Sequence, residues 1–139
     1  MPDLLTSVAV PASVQSLLIC DERSPARQTL AELLAQGSSS LVIRAVANSH
    51  AVVEAFTARP AGLVLIGVHA GNSTGMQAVD LLMVAHPGAQ LVAFGAPSDS
   101  SLLIDAISHG VRGIMLWDIH HQARSSPNSE TRIRRHPIA

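Results

Sequence analysis

Short apolar runs alternate along this chain with segments in which apolar residues recur every three or four positions. A run of four to eight apolar residues between turn signals is typical of a buried strand, and the wider spacing is typical of a helix that buries one face. The pattern predicts five strands, at residues 16–20, 41–47, 63–68, 91–94 and 114–117. Each of the first four strands is followed by a predicted helix.

Polar and glycine residues mark where these helices begin and end. Ser24, which precedes a proline, and Asn48 stand where side-chain oxygens cap the first turn of the first and second helices. Ser98 or Asp99 is expected to cap the fourth helix in the same way, and Gly110 is expected to end it. The regular alternation of strand and helix predicts a doubly wound α/β domain with a parallel sheet.

The pattern covers only the middle of the chain. Residues 1–15 are weakly patterned and are interpreted as a flexible leader, residues 16–118 as the domain, and residues 119–139 as a polar, disordered tail. Adjacent histidines at 120 and 121 lack partnered cysteine or carboxylate spacing, so no metal site is assigned to them.

Composition narrows the function classes. The 139 residues suffice for one domain with a core, and the net charge of −1 gives no reason to expect direct nucleic-acid binding. No apolar run is long enough to span a membrane and no secretory signal is recognisable, so a cytoplasmic location is expected. All nine basic residues are arginine, which excludes a P-loop lysine and a Schiff base. No catalytic residues are assigned, and the chain is not expected to be an enzyme.

The carboxyl ends of parallel strands meet at one edge of a sheet, where ligands usually bind. That edge is expected to carry Asp21 and Glu22 after the first strand, Gly67 after the third, Gly95 after the fourth and Trp117 after the fifth. The two carboxylates fit either a residual cation or ligand site or a solvated acidic turn. The indole fits either the wall of a small-molecule pocket or a filler of the space beside the glycines.

The chain resembles the receiver domain of two-component response regulators of the NarL/FixJ type. The resemblance covers roughly residues 16–118 and is carried by short motifs that occur in the family's order. The matching segments are Leu18-Ile19-Cys20-Asp21-Glu22, Arg59-Pro60, Gly75-Met76, His86-Pro87-Gly88 and Gly110-Val111-Arg112-Gly113. The resemblance implies a flavodoxin-like or CheY-like fold with strand order 2-1-3-4-5. The family's last helix is missing or degenerate here, and no helix-turn-helix domain is recognisable.

Three departures from the family pattern fall at its phosphorylation site. The resemblance places Gly67 at the phosphoacceptor aspartate, Gly95 at the threonine or serine that senses the phosphoryl group, and Trp117 at the lysine that pairs with phosphate. Glycine has no oxygen that could accept a phosphoryl group, and two carboxylates alone should bind Mg²⁺ weakly. No cofactor is therefore expected, and Asp21 and Glu22 should repel each other.

The resemblance implies a degenerate pseudo-receiver in signal transduction and transcription regulation that works without phosphorylation, through protein contacts. Candidate contact residues are Leu102, Leu103, Ile107 and Trp117, on helix four and strand five, where a homodimer or a partner protein would bind. Without a fifth helix, an apolar strip along strands four and five should be exposed. The alternative function is a small-molecule sensor with an effector pocket among Asp21, Glu22, Gly67, Gly95 and Trp117.

Overall fold

A computed structural model describes residues 14–37, 40–71, 73–117 and 132–135 of the chain. Most of the leader and of the tail, including His120 and His121, lies outside the described residues. In chain order the elements are β1 Ser16–Cys20, α1 Ser24–Gly37, β2 Val42–Val46, α2 Ser49–Ala58, β3 Leu63–Gly67, α3 Thr74–Ala85, β4 Leu91–Gly95, α4 Ser100–His109, β5 Gly113–Leu116 and β6 Arg132–Arg135.

The sheet confirms the predicted architecture. Strands β1 to β5 run parallel in the order β2-β1-β3-β4-β5, and the described residues form the four predicted α-helices. The sequence pattern did not predict β6, which lies within the segment interpreted as a tail and pairs antiparallel with all four residues of β5.

Burial explains why the central strands read as unbroken apolar runs. Every residue of β3 and β4 is buried, as is typical of the central strands of a parallel sheet. One apolar cluster joins one sheet face to α2, α3 and α4. A second joins the other face to α1, and it contains Phe94, Met115 and Trp117.

Two of the predicted helix signals act as expected, and one does not. The Asn48 side chain accepts a hydrogen bond from the backbone N–H of Ala51 at 2.8 Å, and Gly110 ends α4 at a φ of 125°. Asp99 precedes α4 but makes no side-chain cap there. Its carboxylate accepts instead from the N–H groups of Ala70 and Ala96, at 3.0 and 3.2 Å.

The expectation of an exposed apolar strip is wrong for the described residues. β4 is buried throughout, and Met115 and Trp117 are 0% and 3% exposed. The indole of Trp117 packs edge-on against the ring of Phe94, with centroids 5.9 Å apart, so a large aromatic pair occupies this part of the sheet face. Among the described helices, none is both long enough and apolar enough to cross a membrane.

Candidate functional site

The carboxylate of Asp21 is the most enclosed charged group at the carboxyl edge of the sheet. It follows β1 directly, and its side chain has no solvent exposure. Oδ1 accepts from the backbone N–H of Arg23 at 2.8 Å and from its Nε at 3.1 Å, while Oδ2 accepts from Nη2 at 2.7 Å. A forked guanidinium of this kind is a strong partner for a carboxylate. The chain therefore supplies its own cation to Asp21.

Arg23 was not predicted from the sequence, and it changes the electrostatics of the edge. The hydrogen bond to Asp21 raises the pKa of the Arg23 guanidinium above its ordinary value. Glu22 is exposed and reaches over to Thr74 at the start of α3, where the hydroxyl is 3.4 Å from Oε1. The two carboxylates thus have separate partners, so the repulsion expected between them is offset. The Asp-x-Arg spacing after β1 gave no usable signal, because these residues lie in an irregular turn.

Gly67 ends β3 directly beside the Asp21 carboxylate. A Cβ added to Gly67 would lie 2.1 Å from Oδ2 of Asp21 and 3.1 Å from the ring of Phe94. The first distance is far shorter than atoms in contact tolerate, and interiors are close-packed. The Asp21 carboxylate consequently occupies the space that any side chain at position 67 would need.

Gly95 and Trp117 close the other half of the edge. A Cβ on Gly95 would lie 2.6 Å from the carbonyl oxygen of Val68, so backbone rather than a movable side chain forbids a larger residue there. The N–H of Trp117 donates to the carbonyl of Gly95 at 2.7 Å. The indole Nε1 is buried and has no hydrogen-bond partner among the residues that the structure describes.

Asp99 ties two loops of this edge together. Through its bonds to Ala70 and Ala96, the carboxylate joins the loop after β3 to the loop after β4. Asp99 is 9% exposed, so these two bonds satisfy a largely buried charge. A shift of either loop relative to the other would break one of them and leave the carboxylate under-satisfied, which is costly.

The residues of this edge do not fit the divalent cation that the receiver fold implies. Mg²⁺ requires several oxygen ligands in octahedral geometry, whereas both Asp21 oxygens accept from Arg23 and Gly67 has no side chain. Within the described ranges, no group of three or more His, Cys, Asp or Glu side chains is arranged to hold a metal ion. His69 Nε2 lies 4.0 Å from Asp21 Oδ1, which adds an imidazole rather than an oxygen.

The edge also lacks a reactive thiol. Cys20 precedes Asp21 inside β1, and its Sγ lies 3.6 Å from the carbonyl oxygen of Asn48. Burial, with a smaller contribution from the negative charge of Asp21, raises the pKa of the thiol to about 12. A protonated, buried thiol is a poor nucleophile, as expected for a residue that packs in the core.

The structure brings together the four predicted positions that matter most. The Asp21 carboxylate fills the space beside Gly67, and the ring of Phe94 lies near that space and packs edge-on against Trp117. The backbone N–H of Trp117 donates to the carbonyl of Gly95. Two of the predicted contact residues need correction, because Leu103 and Trp117 are buried and offer no surface to a partner. Leu102 and Ile107 remain partly exposed.

A neighbouring residue replaces the two buried candidates. Ile104 on α4 is 57% exposed and lies one turn from Ile107. Asp105 and His109 mark the side of α4 that faces α3, so helical periodicity places Ile104 and Ile107 on the side towards β5. Ile114 and Leu116 of β5 are also only partly buried. We call Ile104, Ile107, Ile114 and Leu116 the α4–β5 surface.

Comparison with solved structures assigns the architecture. The receiver domain of NtrX from Brucella abortus matches with a TM-score of 0.65 at 18% identity, over 75% of this chain and 88% of that one. A LuxR-family two-component response regulator from Aurantimonas matches with 0.66 at 13% identity, over 81% of each chain. The chemotaxis protein CheY4 of Vibrio cholerae matches with 0.64 at 11% identity, over 78% of this chain and 92% of that one.

Sequence comparison adds nothing to these matches. No protein-family model matches the chain, and a search of curated proteins finds no match either. Against a longer NtrX structure, the match covers 71% of this chain and only 22% of the other. At such low identities the likeness concerns the backbone, and the described part of the chain has the fold of response-regulator receiver domains.

Proposed function

We propose that this chain is a receiver-like signalling module that acts without phosphorylation, through protein contacts on the α4–β5 surface. The observation that carries the proposal is the occupation of the expected acceptor space by the Asp21 carboxylate, which Arg23 holds in place. The module performs no catalysis in this proposal, and we expect it to work in the cytoplasm.

The first support is chemical. Formation of an aspartyl phosphate needs a carboxylate oxygen that can attack phosphorus, and Gly67 offers none. Asp21 cannot substitute for it, because its carboxylate is fully buried and accepts three hydrogen bonds from Arg23. A carboxylate that is already paired and enclosed is a weak nucleophile towards an external phosphoryl donor.

The second support is mechanical. The receiver switch implied by the resemblance requires a hydroxyl at position 95 and a lysine at position 117, and both positions are closed here. Gly95 leaves no room for a hydroxyl side chain beside the Val68 carbonyl, and Trp117 is packed against Phe94. Asp99 holds the two adjacent loops to each other. These contacts favour one fixed arrangement.

Phosphorylation is tested directly by incubating the full chain with acetyl phosphate and Mg²⁺ and recording its intact mass. A phosphorylatable receiver domain in the same tube serves as the positive control. The proposal expects an unchanged mass for this chain while the control gains a phosphoryl group. A stoichiometric adduct that survives acid and is removed by hydroxylamine would overturn it.

The protein-contact part is tested by matched surface variants. Ile104→Asp places a charge on the α4–β5 surface, whereas Val84→Asp places one on α3, where the valine is 82% exposed. Desolvation of an unpaired charge opposes association, so Ile104→Asp should weaken self-association or partner capture and Val84→Asp should not. Equal behaviour of both variants would remove the α4–β5 surface from the proposal.

One specific observation favours a second function, that of a small-molecule sensor. The Nε1 of Trp117 is a buried donor without a partner among the described residues, and buried donors normally have an acceptor. An effector with an acceptor group near Nε1 would satisfy it and make the chain a small-molecule sensor. Saturable quenching of the single tryptophan by one metabolite from a broad panel would favour this function, and a flat response to the panel would count against it.

A further inference from the structure

The strand β6 lies where a five-stranded receiver sheet would end. Its register with β5 runs without a break from Gly113 opposite Arg135 to Leu116 opposite Arg132. Every residue of β5 therefore has an antiparallel neighbour, and β6 rather than β5 is the edge of the sheet.

As an open edge, β5 would be prone to pair with a strand of another molecule. Its four residues, Gly-Ile-Met-Leu, carry no charge and no proline, and edges of that kind invite a strand from another molecule. β6 has the opposite character, since three of its four residues are arginine. Two β6 strands brought edge to edge would set arginine positions against each other, and like charges directly opposite destabilise strand pairing.

The other edge of the sheet lacks this protection. β2 carries a single arginine, Arg44, whose Nη1 and Nη2 donate to the carbonyls of Ala55 and Arg59 at the end of α2. Its Val42 is 49% exposed. The charge concentration is thus specific to the β5 side and is not a general property of both edges.

We propose that β6 covers the β5 edge against a second copy of this chain, and that loss of β6 pairing allows the β5 edges of two copies to pair. The inference does not depend on phosphorylation independence, because it concerns the edge of the sheet and not the carboxyl ends of its strands. It names a second interaction surface, distinct from the α4–β5 surface.

Two single proline variants of the full chain test this proposal. Successive backbone N–H groups of an edge strand point alternately towards the neighbouring strand and towards solvent. Of Ile133→Pro and Arg134→Pro, one therefore removes an N–H group that faces β5, and the other removes one that faces outward. Proline is tolerated on an edge strand only where the N–H faces solvent. Each variant is therefore the control for the other, and Ile133→Val controls for the change of side chain.

The readouts are amide hydrogen exchange in β5 and the mass distribution in solution at equal concentration. One proline variant should accelerate exchange of the β5 amides that bond to β6 by roughly tenfold or more and should shift the mass towards a dimer. The other proline variant and Ile133→Val should match the wild type in both readouts. Unchanged exchange in both proline variants would overturn the pairing, and accelerated exchange without any gain in mass would overturn the covering role.

Discussion

Asp21 and Asp80 are each bonded to a basic side chain in the described part of the chain, and the surroundings of the two carboxylates differ completely. Asp21 at the carboxyl edge of the sheet has no solvent exposure and accepts three hydrogen bonds from Arg23. Asp80 on α3 is 54% exposed and meets His109 of α4 through one contact of 2.8 Å. The Asp80 contact is an ion pair only when His109 is protonated, and only the enclosed Asp21 pair keeps other groups away from its carboxylate.

The difference shows that enclosure, rather than charge, determines what each pair does. At Asp21 the backbone and guanidinium of Arg23 bond to both carboxylate oxygens, and the carboxylate fills the space that a side chain at Gly67 would need. At Asp80 water competes for both partners, and such pairs contribute little. The first pair defines a closed site, and the second responds to pH. Substitutions at the two pairs should therefore differ in the size of their effects.

The largest effect is expected for Gly67→Ala. The new methyl would collide with the Asp21 carboxylate and press on Phe94, and overpacking of this kind costs about 1–3 kcal/mol. The free energy of unfolding should fall by about that amount in a chemical denaturation series. Gly88→Ala is the matched control, because nothing lies within 4 Å of its added Cβ; it should stay within about 0.5 kcal/mol of the wild type.

A double variant sharpens the same prediction. Asp21→Ala removes the group that Gly67→Ala collides with, so the two substitutions together should cost less than the sum of each alone. Coupling of about 1 kcal/mol or more is expected for residues in contact. Additive costs would mean that the carboxylate does not fill the space beside Gly67.

Arg23→Gln should give an effect of comparable size. It leaves a buried carboxylate without its guanidinium partner, and breaking a fully buried pair costs about 3–5 kcal/mol. Arg23 itself is 38% exposed, so solvent screening reduces the expected loss to about 1–3 kcal/mol. Arg112→Gln is the control, because Arg112 is exposed and its side chain bonds only to the Gln90 side chain in the described contacts. Equal losses would show that enclosure has no bearing on the Asp21 pair.

The smallest effect is expected at His109, and its sign follows from the direction in which the pKa is shifted. The hydrogen bond to Asp80, aided by the charges of Asp80 and Asp105, raises the pKa of His109 above its ordinary value. A raised folded-state pKa stabilises the fold fully below the unfolded pKa of about 6.5, and this contribution disappears as the pH rises through the folded pKa.

His109→Gln should therefore lower the midpoint of thermal unfolding slightly at about pH 5.5 and leave it unchanged at about pH 8.5. Asp80→Asn should behave similarly, because it removes the carboxylate charge that favours protonated His109. A loss of stability that is larger at the higher pH would contradict a raised pKa for His109.

Part of the fold and of the candidate site could be predicted from the sequence. Hydrophobic periodicity predicted five strands, four helices and the Asn48 cap, because burial and capping leave local patterns. The convergence of Asp21, Gly67, Gly95 and Trp117 followed from the rule that parallel strands end at one edge. These features depend on short stretches of chain or on topology alone.

The features that the sequence did not predict depend on contacts that leave no local sequence pattern. Arg23 reaches Asp21 from two residues away in an irregular turn, where spacing carries no signal. Asp99 looks like a helix cap but bonds to Ala70, which is 29 residues distant. β6 is four residues long with a single apolar side chain, so it lacks the alternation by which strands are recognised.

The most direct test of the closed site is an amide NMR titration of the full chain with Mg²⁺ and beryllofluoride, which mimics a phosphoryl group on a carboxylate. A closed site predicts that the resonances of residues 21, 67, 95 and 117 stay in place throughout the titration. Saturable shifts at these residues, with a Mg²⁺ requirement, would show that the edge still binds a phosphoryl group and would contradict a closed site.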